Sequence, residues 1–199
     1  MTRIQTTAKE RTTTYTTVAD FCRLFKEGMD SLYGLALMLA ADPGKAEELF
    51  VSGLDDCAAG SPVFKEWANA WARRTIIKNA VRLIAPKPVF ANGVLNTAAP
   101  GDTTSRTLPG LPAEINAVLG LRPFERFAFI LSVLEGYSDL DSALLLGCTR
   151  QALVVARMRA EQGIAHFAAT REGQYSGANQ KNKPSAIKRP LPMQLATPA

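Results

Sequence analysis

The sequence predicts an all-α protein with two small helical bundles joined by a linker. Apolar residues recur at the three-, four- and seven-residue spacings of a helix face, and no segment has the alternating pattern of a β-strand. With 199 residues, 47% of them hydrophobic, the chain is long enough to form a core. Proline, glycine and threonine are concentrated at 86–112. We therefore expect one bundle at 18–85, a linker at 86–112, and at 113–170 a second bundle that contains a helix-turn-helix.

Three helices are expected in the first bundle. The first follows an apolar stripe made of Phe21, Leu24, Phe25, Leu32, Leu35 and Leu39. Asp42 and Ser61 each precede a proline, and a capping residue followed by proline begins a helix because the first helical N–H needs no partner. These pairs predict a second helix from Asp42-Pro43 and a third from Ser61-Pro62 to about Ile84.

The second bundle contains an apolar stripe followed by the signature of two helices and a tight turn. The stripe ends before Gly136 and comprises Phe124, Phe127, Ile130, Leu131 and Leu134. Ser138 and Asp141 have the spacing of a capping box, which begins a helix. Gly147 suits the left-handed backbone of a sharp turn, and Thr149 can cap the next helix. Such a pair of helices can place its second member in a DNA major groove, although an ordinary helical hairpin has the same residues.

The charge distribution favours a polyanionic partner. The net charge is +5, and segment 61–112 carries seven Lys or Arg against two Asp or Glu, while 171–199 carries five against one. Clustered positive charge attracts phosphates, so nucleic acid is expected as partner ahead of a membrane surface. The alternative is a solvated helix face and a solubilising tail.

Several classes of function are not expected. The sequence has no glycine-rich phosphate loop and no Ser/His/Asp set, so we predict neither an enzyme nor a cofactor. One histidine and three cysteines without ligand spacing predict no metal site. No apolar run approaches the roughly 20 residues that cross a bilayer, and 1–17 lacks a signal-peptide stretch, so we expect a cytoplasmic protein. Segments 1–17 and 171–199 are predicted to be disordered, the latter as a basic tail.

The third predicted helix carries an aromatic and basic stripe. On a helix its members fall within a sector of roughly 80°: Phe64, Trp67, Trp71, Arg74, Lys78 and Arg82. Rings that stack on bases, followed by cations that bind phosphates, suit an unpaired nucleic-acid strand. We expect both tryptophans in the core, with stacking as the alternative, and the three cations on DNA, with a solvated face as the alternative. Arg73 lies off the stripe and is expected to be solvated.

The second bundle resembles region 4 of bacterial RNA polymerase sigma factors of the extracytoplasmic-function type. The similarity lies in Leu121-Arg122-Pro123-Phe124-Glu125-Arg126, Leu134-Glu135-Gly136-Tyr137-Ser138 and Ala143-Leu144-Leu145-Leu146-Gly147-Cys148-Thr149. The first bundle is similar to region 2 of the same family in the stripe at 21–39, in Ala46-Glu47-Glu48-Leu49 and in the helix at 64–84.

This resemblance implies a transcription initiation factor. In that family region 2 clasps the RNA polymerase core and handles the −10 element, and the last helix of region 4 reads the −35 element. The implied partners are promoter DNA, RNA polymerase core and an anti-sigma protein. The residues expected on DNA are Thr149, Arg150, Gln151, Val154, Arg157, Arg159, Arg74, Lys78 and Arg82. Arginine pairs with guanine and glutamine with adenine, while Thr149 and the helix N-terminus suit a phosphate.

Departures from the family pattern support an alternative function. Val154 and Ala156 stand where the family commonly has Lys or Arg, and Arg157 stands where it usually buries an aliphatic residue. Segment 49–54 replaces an acidic-polar stretch and contains Gly53, which weakens a helix by about 1 kcal/mol relative to alanine. The alternative is a degenerate sigma fold that no longer recognises promoters and acts as a protein-interaction module. Its binding surface would comprise Val154, Val155 and Met158.

Overall fold

The computed structural model describes residues 14–88, 90–91, 94–95 and 108–180, which form the predicted all-α fold. The first half contains α1 Val18–Glu27, α2 Met29–Ala40, α3 Pro43–Ala59 and α4 Ala68–Ile84. The second half contains α5 Ala113–Leu119, α6 Pro123–Phe129, α7 Asp139–Leu146 and α8 Arg150–Gln180. The predicted linker includes two antiparallel strands of two residues each, β1 Phe90–Ala91 and β2 Val94–Leu95. Its residues 89, 92–93 and 96–107 lie outside the described part of the chain.

The apolar stripe predicted as a single first helix forms two helices. Gly28 separates α1 from α2, and its N–H donates to the carbonyl of Leu24 at 2.8 Å. A Cβ at Gly28 would lie 2.9 Å from the same carbonyl oxygen, so the chain turns where it has no side chain. The apolar residues keep a common buried face across this break: Phe21, Phe25, Leu32, Leu35 and Leu39.

Only one of the two predicted Asp/Ser-Pro helix starts is correct. Asp42 caps α3, since its side chain accepts from the Lys45 N–H at 3.1 Å and Pro43 begins the helix. After Ser61 and Pro62 the chain is instead extended, because the Val63 carbonyl accepts from the Thr16 N–H at 2.7 Å. A 3₁₀ turn at Lys65–Trp67 follows, and α4 begins only at Ala68.

The same contacts correct the predicted disorder at 1–17. Tyr15 forms a β-bridge with Phe64, and the Thr16 hydroxyl donates to the Val63 carbonyl at 2.9 Å. Thr17 caps α1. Residues 14–17 are therefore part of the fold, whereas 1–13 lie outside the described residues.

A turn of π-helix corrects the apolar stripe of the second half. Phe124, Phe127, Ile130 and Leu131 are buried as predicted, but Leu134 is 47% exposed. Residues Ile130–Leu134 form the π turn, in which the Glu135 N–H donates to the Ile130 carbonyl at 2.9 Å. The wider turn moves Leu134 off the buried face of the helix.

The capping residues around the α7–α8 turn agree with the sequence prediction. The Ser138 side chain accepts from the Asp141 N–H, and Gly147 ends α7 with a φ of 63°. The Thr149 hydroxyl accepts from the Ala152 N–H at 3.2 Å at the start of α8. α8 then continues to Gln180, so the predicted disorder from residue 171 is wrong for 171–180. The sequence from Arg150 to Gln180 contains no proline that would interrupt the helix, and residues 181–199 lie outside the described part.

Arg126 joins the two halves from a buried position. It lies on α6 and is 4% exposed. Its Nε and Nη2 donate to the carbonyl of Leu39 in the last turn of α2, at 3.3 and 3.2 Å. Its Nη1 donates to the carbonyls of Leu119, the last residue of α5, and of Leu121, which precedes α6. The guanidinium therefore bonds carbonyls of both predicted bundles.

An ion pair with a largely buried carboxylate makes a second link between the halves. Arg73 of α4, which was expected to be solvated, makes a two-pronged contact with Glu135 after the π turn. Its Nη1 also donates to the Ser31 hydroxyl at 2.8 Å. Hydrogen bonding to Glu135 raises the pKa of Arg73 and outweighs the opposing effect of burial. The prediction failed because this partner is remote in the sequence.

Candidate nucleic-acid interface

The outer face of α4 carries the aromatic and basic residues singled out from the sequence. Trp67 is 58% and Trp71 37% exposed, so the expectation that both lie in the core is wrong. Arg74, Lys78 and Arg82 are also exposed. We call these five residues the α4 face. The opposite side of the helix is the buried one, and it consists of Ala68, Ala72, Ile76, Ile77, Asn79 and Ala80.

Ring contacts fix the aromatic end of the α4 face. The Phe64 ring packs edge-on against the Trp67 ring, with centroids 5.1 Å apart. The Tyr15 ring stacks on the same Phe64 ring, with centroids 4.7 Å apart. Because Phe64 precedes the 3₁₀ turn, it lies beneath the tryptophan rather than on the helix stripe that the sequence predicted. Trp67 is thereby held at the surface with ring area open to solvent.

The basic end of the α4 face continues directly from the aromatic end. Lys78 Nζ lies 5.9 Å from the centroid of the Trp71 ring, within the range of a cation–π contact. Arg74 lies close to Tyr137, where it opposes the rise in the tyrosine pKa that burial causes. Among the described residues, no carboxylate forms an ion pair with Arg74, Lys78 or Arg82. Their charges are therefore available to an external anion.

The first turn of α8 presents a second, smaller polar surface. Thr149, Arg150 and Gln151 are all exposed at the end of the turn that follows α7. The Thr149 oxygen already accepts the Ala152 N–H, which leaves its hydroxyl proton free to donate. We call these three residues the α8 start. They are brought together as predicted, on a helix end that favours anions.

The other predicted DNA contacts on α8 differ in their surroundings. Val154 and Arg157 are half-buried, and Arg157 Nη1 donates to Asp139 Oδ1 at 2.6 Å. Arg159 is half-buried beside Glu125, whose pKa burial raises and Arg122 and Arg159 lower. Arg159 thus lies against α6 and is not part of the α8 start.

Asp139 is the residue of this region that sequence reasoning missed. Its carboxylate contacts Arg157 and lies 3.7 Å from Arg150 Nε, at the crossing of α7 and α8. The capping spacing singled out Ser138 and Asp141, and nothing local distinguishes Asp139 from them. Asp139 and Arg157 are 18 residues apart in the sequence, and they come into contact only because α7 and α8 cross at this point.

A surface cleft lies between α1, α2 and the 3₁₀ turn, and three of the charged side chains that line it form ion pairs. Asp20 contacts both Arg23 and Lys65 there. Hydrogen bonds from Thr17 and the nearby Lys65 hold the pKa of Asp20 well below its usual range. This arrangement caps α1 and ties it to the chain before α4. In the described part of the chain no group of three or more potential ligands could hold a metal ion.

None of the described helices has the length and apolar character needed to cross a bilayer. No known family model matches this chain, and no curated protein matches its sequence. The α4 face and the α8 start are therefore the surfaces of this protein from which a function can be inferred.

Proposed function

We propose that this protein is a sigma-like transcription initiation factor that binds promoter DNA and RNA polymerase core. The observation that carries the proposal is the α4 face, where two exposed tryptophans are followed by three exposed cations without ion-pair partners among the described residues. The similarity of the α6–α8 sequence to region 4 of sigma factors supports the same function. A role with polymerase implies a cytoplasmic location.

The α4 face is suited to a single strand of an opened promoter. Bases of any kind stack on tryptophan rings, and each such contact contributes about 1–3 kcal/mol. Arg74, Lys78 and Arg82 bind the phosphates of the same strand, and the release of counterions makes the affinity salt-dependent. Three neutralised phosphates on a single strand give a slope of about −2 in a plot of log K against log salt.

The α8 start is suited to the edge of duplex DNA. Arg150 is long enough to pair with guanine and Gln151 with adenine in the major groove, while Thr149 donates to a phosphate. Arg157, Val154 and Arg159 border this surface without the free charge of the α4 face. Few free cations here mean weak affinity for duplex in isolation, and we propose that the polymerase core supplies the remaining binding free energy.

The first experiment uses the protein's own fluorescence. The chain has two tryptophans, and both belong to the α4 face, so their emission reports on this surface alone. We expect single-stranded promoter DNA to quench the emission, and Trp67→Ala to lower the affinity roughly 5- to 150-fold, the equivalent of one stacked base. The exposed Lys26→Ala on α1 serves as a charge control and should leave the affinity within about twofold.

The second experiment tests promoter recognition with RNA polymerase core. The purified chain is expected to direct the core to initiate at defined sites, and Arg150→Ala is expected to lower that output and relax the sequence preference at one position. Unchanged output and preference in this variant would contradict the role of the α8 start. Absence of defined start sites, together with no quenching by single strands, would contradict the proposed function as a whole.

A protein-interaction module is the second candidate function. Two observations favour it: the pairing of Asp139 with both Arg150 and Arg157, and exposed apolar side chains on α7 and α8, namely Leu140, Leu144 and Met158. Such a module would bind a protein partner, including an anti-sigma protein, without reading DNA. A pull-down with core polymerase and DNA-binding measurements at two salt concentrations distinguish the two candidates, because the module captures neither.

A further inference from the structure

Asp139 stands between Arg150 of the α8 start and Arg157, the two of its neighbours that the sequence predicts on DNA. Its Oδ1 accepts from Arg157 Nη1 at 2.6 Å, and its Oδ2 lies 3.7 Å from Arg150 Nε. The Arg150 side chain is 73% exposed, whereas those of Arg157 and Asp139 are 28% and 20% exposed. One carboxylate therefore serves as counterion to both side chains.

We propose that Asp139 is an affinity-determining residue that competes with DNA phosphates for Arg150 and Arg157. The inference rests on the proposed function of the α8 start. It goes beyond it by assigning to this chain an internal anion that weakens duplex binding. The absence of that charge would give a tighter but less discriminating DNA-binding surface, because unpaired arginines bind phosphates of any sequence.

The two ion pairs differ in how easily DNA can replace them. The Arg150 pair is long and exposed, and such pairs are weak because water and salt screen them. Arg150 can therefore leave Asp139 for a phosphate or a guanine edge at little cost. The Arg157 pair is short and half-buried, so Arg157 stays with Asp139 when Arg150 moves. Asp139 thereby neutralises Arg157 and withholds its charge from the incoming phosphates.

The test compares Asp139→Asn with Asp141→Asn in the full chain. Asp141 lies two residues along the same helix, carries the same charge, and has Ser138 but no cation as a partner among the described residues. Both variants raise the net charge by one, and only the first releases arginines. Fluorescence anisotropy with a labelled promoter duplex measures the affinity at two salt concentrations.

We expect Asp139→Asn to bind duplex roughly 3- to 10-fold more tightly than Asp141→Asn at low salt, with a salt slope steeper by about 0.9 for each additional phosphate contact. Adding Arg157→Ala should remove most of this gain, as a double-mutant cycle requires of coupled residues. An affinity of Asp139→Asn equal to that of Asp141→Asn, or below that of the unaltered chain, would overturn the proposal. The latter result would mean that Asp139 positions the arginines for DNA.

Single-strand binding separates this inference from the proposed function. Quenching of Trp67 and Trp71 by single strands should be the same in Asp139→Asn as in the unaltered chain. If quenching is retained and neither protein binds duplex, the role of Asp139 is refuted while the α4 face remains supported. Duplex binding by Asp139→Asn alone would support the proposal most directly. If the Asp139→Asn variant folds poorly, Asp139→Ser provides a second variant without the carboxylate. Serine is a residue type favoured at the start of a helix.

Discussion

A single glycine determines how closely α3 and α4 approach. Gly53 is buried in α3, and a Cβ at this position would lie 2.8 Å from Cγ1 of Ile76 in α4. Ile76 is itself completely buried, so it has no free space to move into. The residue that weakens α3 as an isolated helix therefore permits the close contact between α3 and α4.

We predict that Gly53→Ala destabilises the protein by about 1 kcal/mol, because overpacking costs about 1–3 kcal/mol and the gain in helix propensity returns only about 1 kcal/mol. Gly34→Ala in α2 is the matched control. Beyond the backbone of its own helix, no atom of the described residues lies within 4 Å of a Cβ built at Gly34, so this substitution should stabilise the protein by about 0.5–1 kcal/mol. Urea denaturation of the two variants checks both signs. Equal stabilisation would show that α3 and α4 can separate without loss.

The exposed tryptophans show what residue types alone could not predict. The sequence correctly placed Trp71, Arg74, Lys78 and Arg82 along one side of a helix. Hydrophobicity favoured burying that side, because tryptophan is larger and more apolar than alanine. The opposite side, rich in alanine, is buried instead because small side chains let the neighbouring helices approach closely. Helical period thus identifies two faces, and packing decides which of them is inside.

At the scale of the helix, α1 begins with a capping box that includes a titratable carboxyl group, that of Asp20. The Asp20 carboxylate accepts from the Thr17 N–H at 3.0 Å, and the Asp20 N–H donates to the Thr17 hydroxyl at 3.2 Å. Hydrogen bonds from Thr17 first, and then Lys65, lower the pKa of Asp20. The ionised carboxylate therefore stabilises the fold above the unfolded pKa of about 3.9, and this contribution is lost as the pH falls through the lower folded value.

We predict that Asp20→Asn lowers the Tm at pH 7 and that the difference from the unaltered protein shrinks as the pH falls below about 4. Thermal unfolding followed by circular dichroism at several pH values measures the effect. Asp55→Asn on the exposed side of α3 is the control, since Asp55 forms no ion pair with any described residue. A Tm difference for Asp20→Asn that does not change with pH would contradict the capping role.

Local signals predicted helix boundaries where the neighbouring chain did not compete for them. Asp42 begins α3 and Gly147 ends α7 as expected, because each needs only its own backbone conformation and a nearby N–H or carbonyl. Ser61-Pro62 has the same local signal, but the strand-like pairing of Tyr15 and Thr16 with the chain beyond it is more favourable there. The π turn at Ile130–Leu134 likewise left no mark in the apolar period.

At the scale of the whole molecule, Arg126 is a buried cation whose charge the fold must stabilise. Burial lowers its pKa to about 10, and its hydrogen bonds go to the carbonyls of Leu39, Leu119 and Leu121. Among the described residues, no carboxylate pairs with it. The partial negative charge at the end of α2 and the carbonyls of the α5–α6 corner together stabilise the cation.

We predict that Arg126→Lys destabilises the protein by about 2–4 kcal/mol, because lysine lacks the planar fork that reaches several carbonyls and leaves buried acceptors unpaired. The exposed Arg82→Lys is the control, with an expected change within about 0.5 kcal/mol. Denaturant unfolding followed by circular dichroism measures both. A loss in Arg126→Lys no larger than in the control would mean that the contact between the halves does not depend on this guanidinium.

The fold class could be predicted from the sequence, but the arrangement of the two halves could not. Helical periods and caps are local, and they were sufficient to identify an all-α protein. The links between the halves join residues far apart in the chain: Arg73 and Glu135 are separated by 62 positions, and Arg126 and Leu39 by 87. Neither arginine carries a local sign of its partner, and the same holds for Asp139 and Arg157.

The buried guanidinium of Arg126 also raises the free energy needed to separate the two halves of the molecule. Separation of the two halves would break the hydrogen bonds between Arg126 and the Leu39 carbonyl at the end of α2. The carbonyls that accept from Arg126 would then lack a hydrogen-bond donor until water reached them. Separation of the two halves is therefore expected to be cooperative, because partial separation breaks these hydrogen bonds before water can replace them. A partner that binds only the separated halves would have to supply the free energy of breaking these contacts.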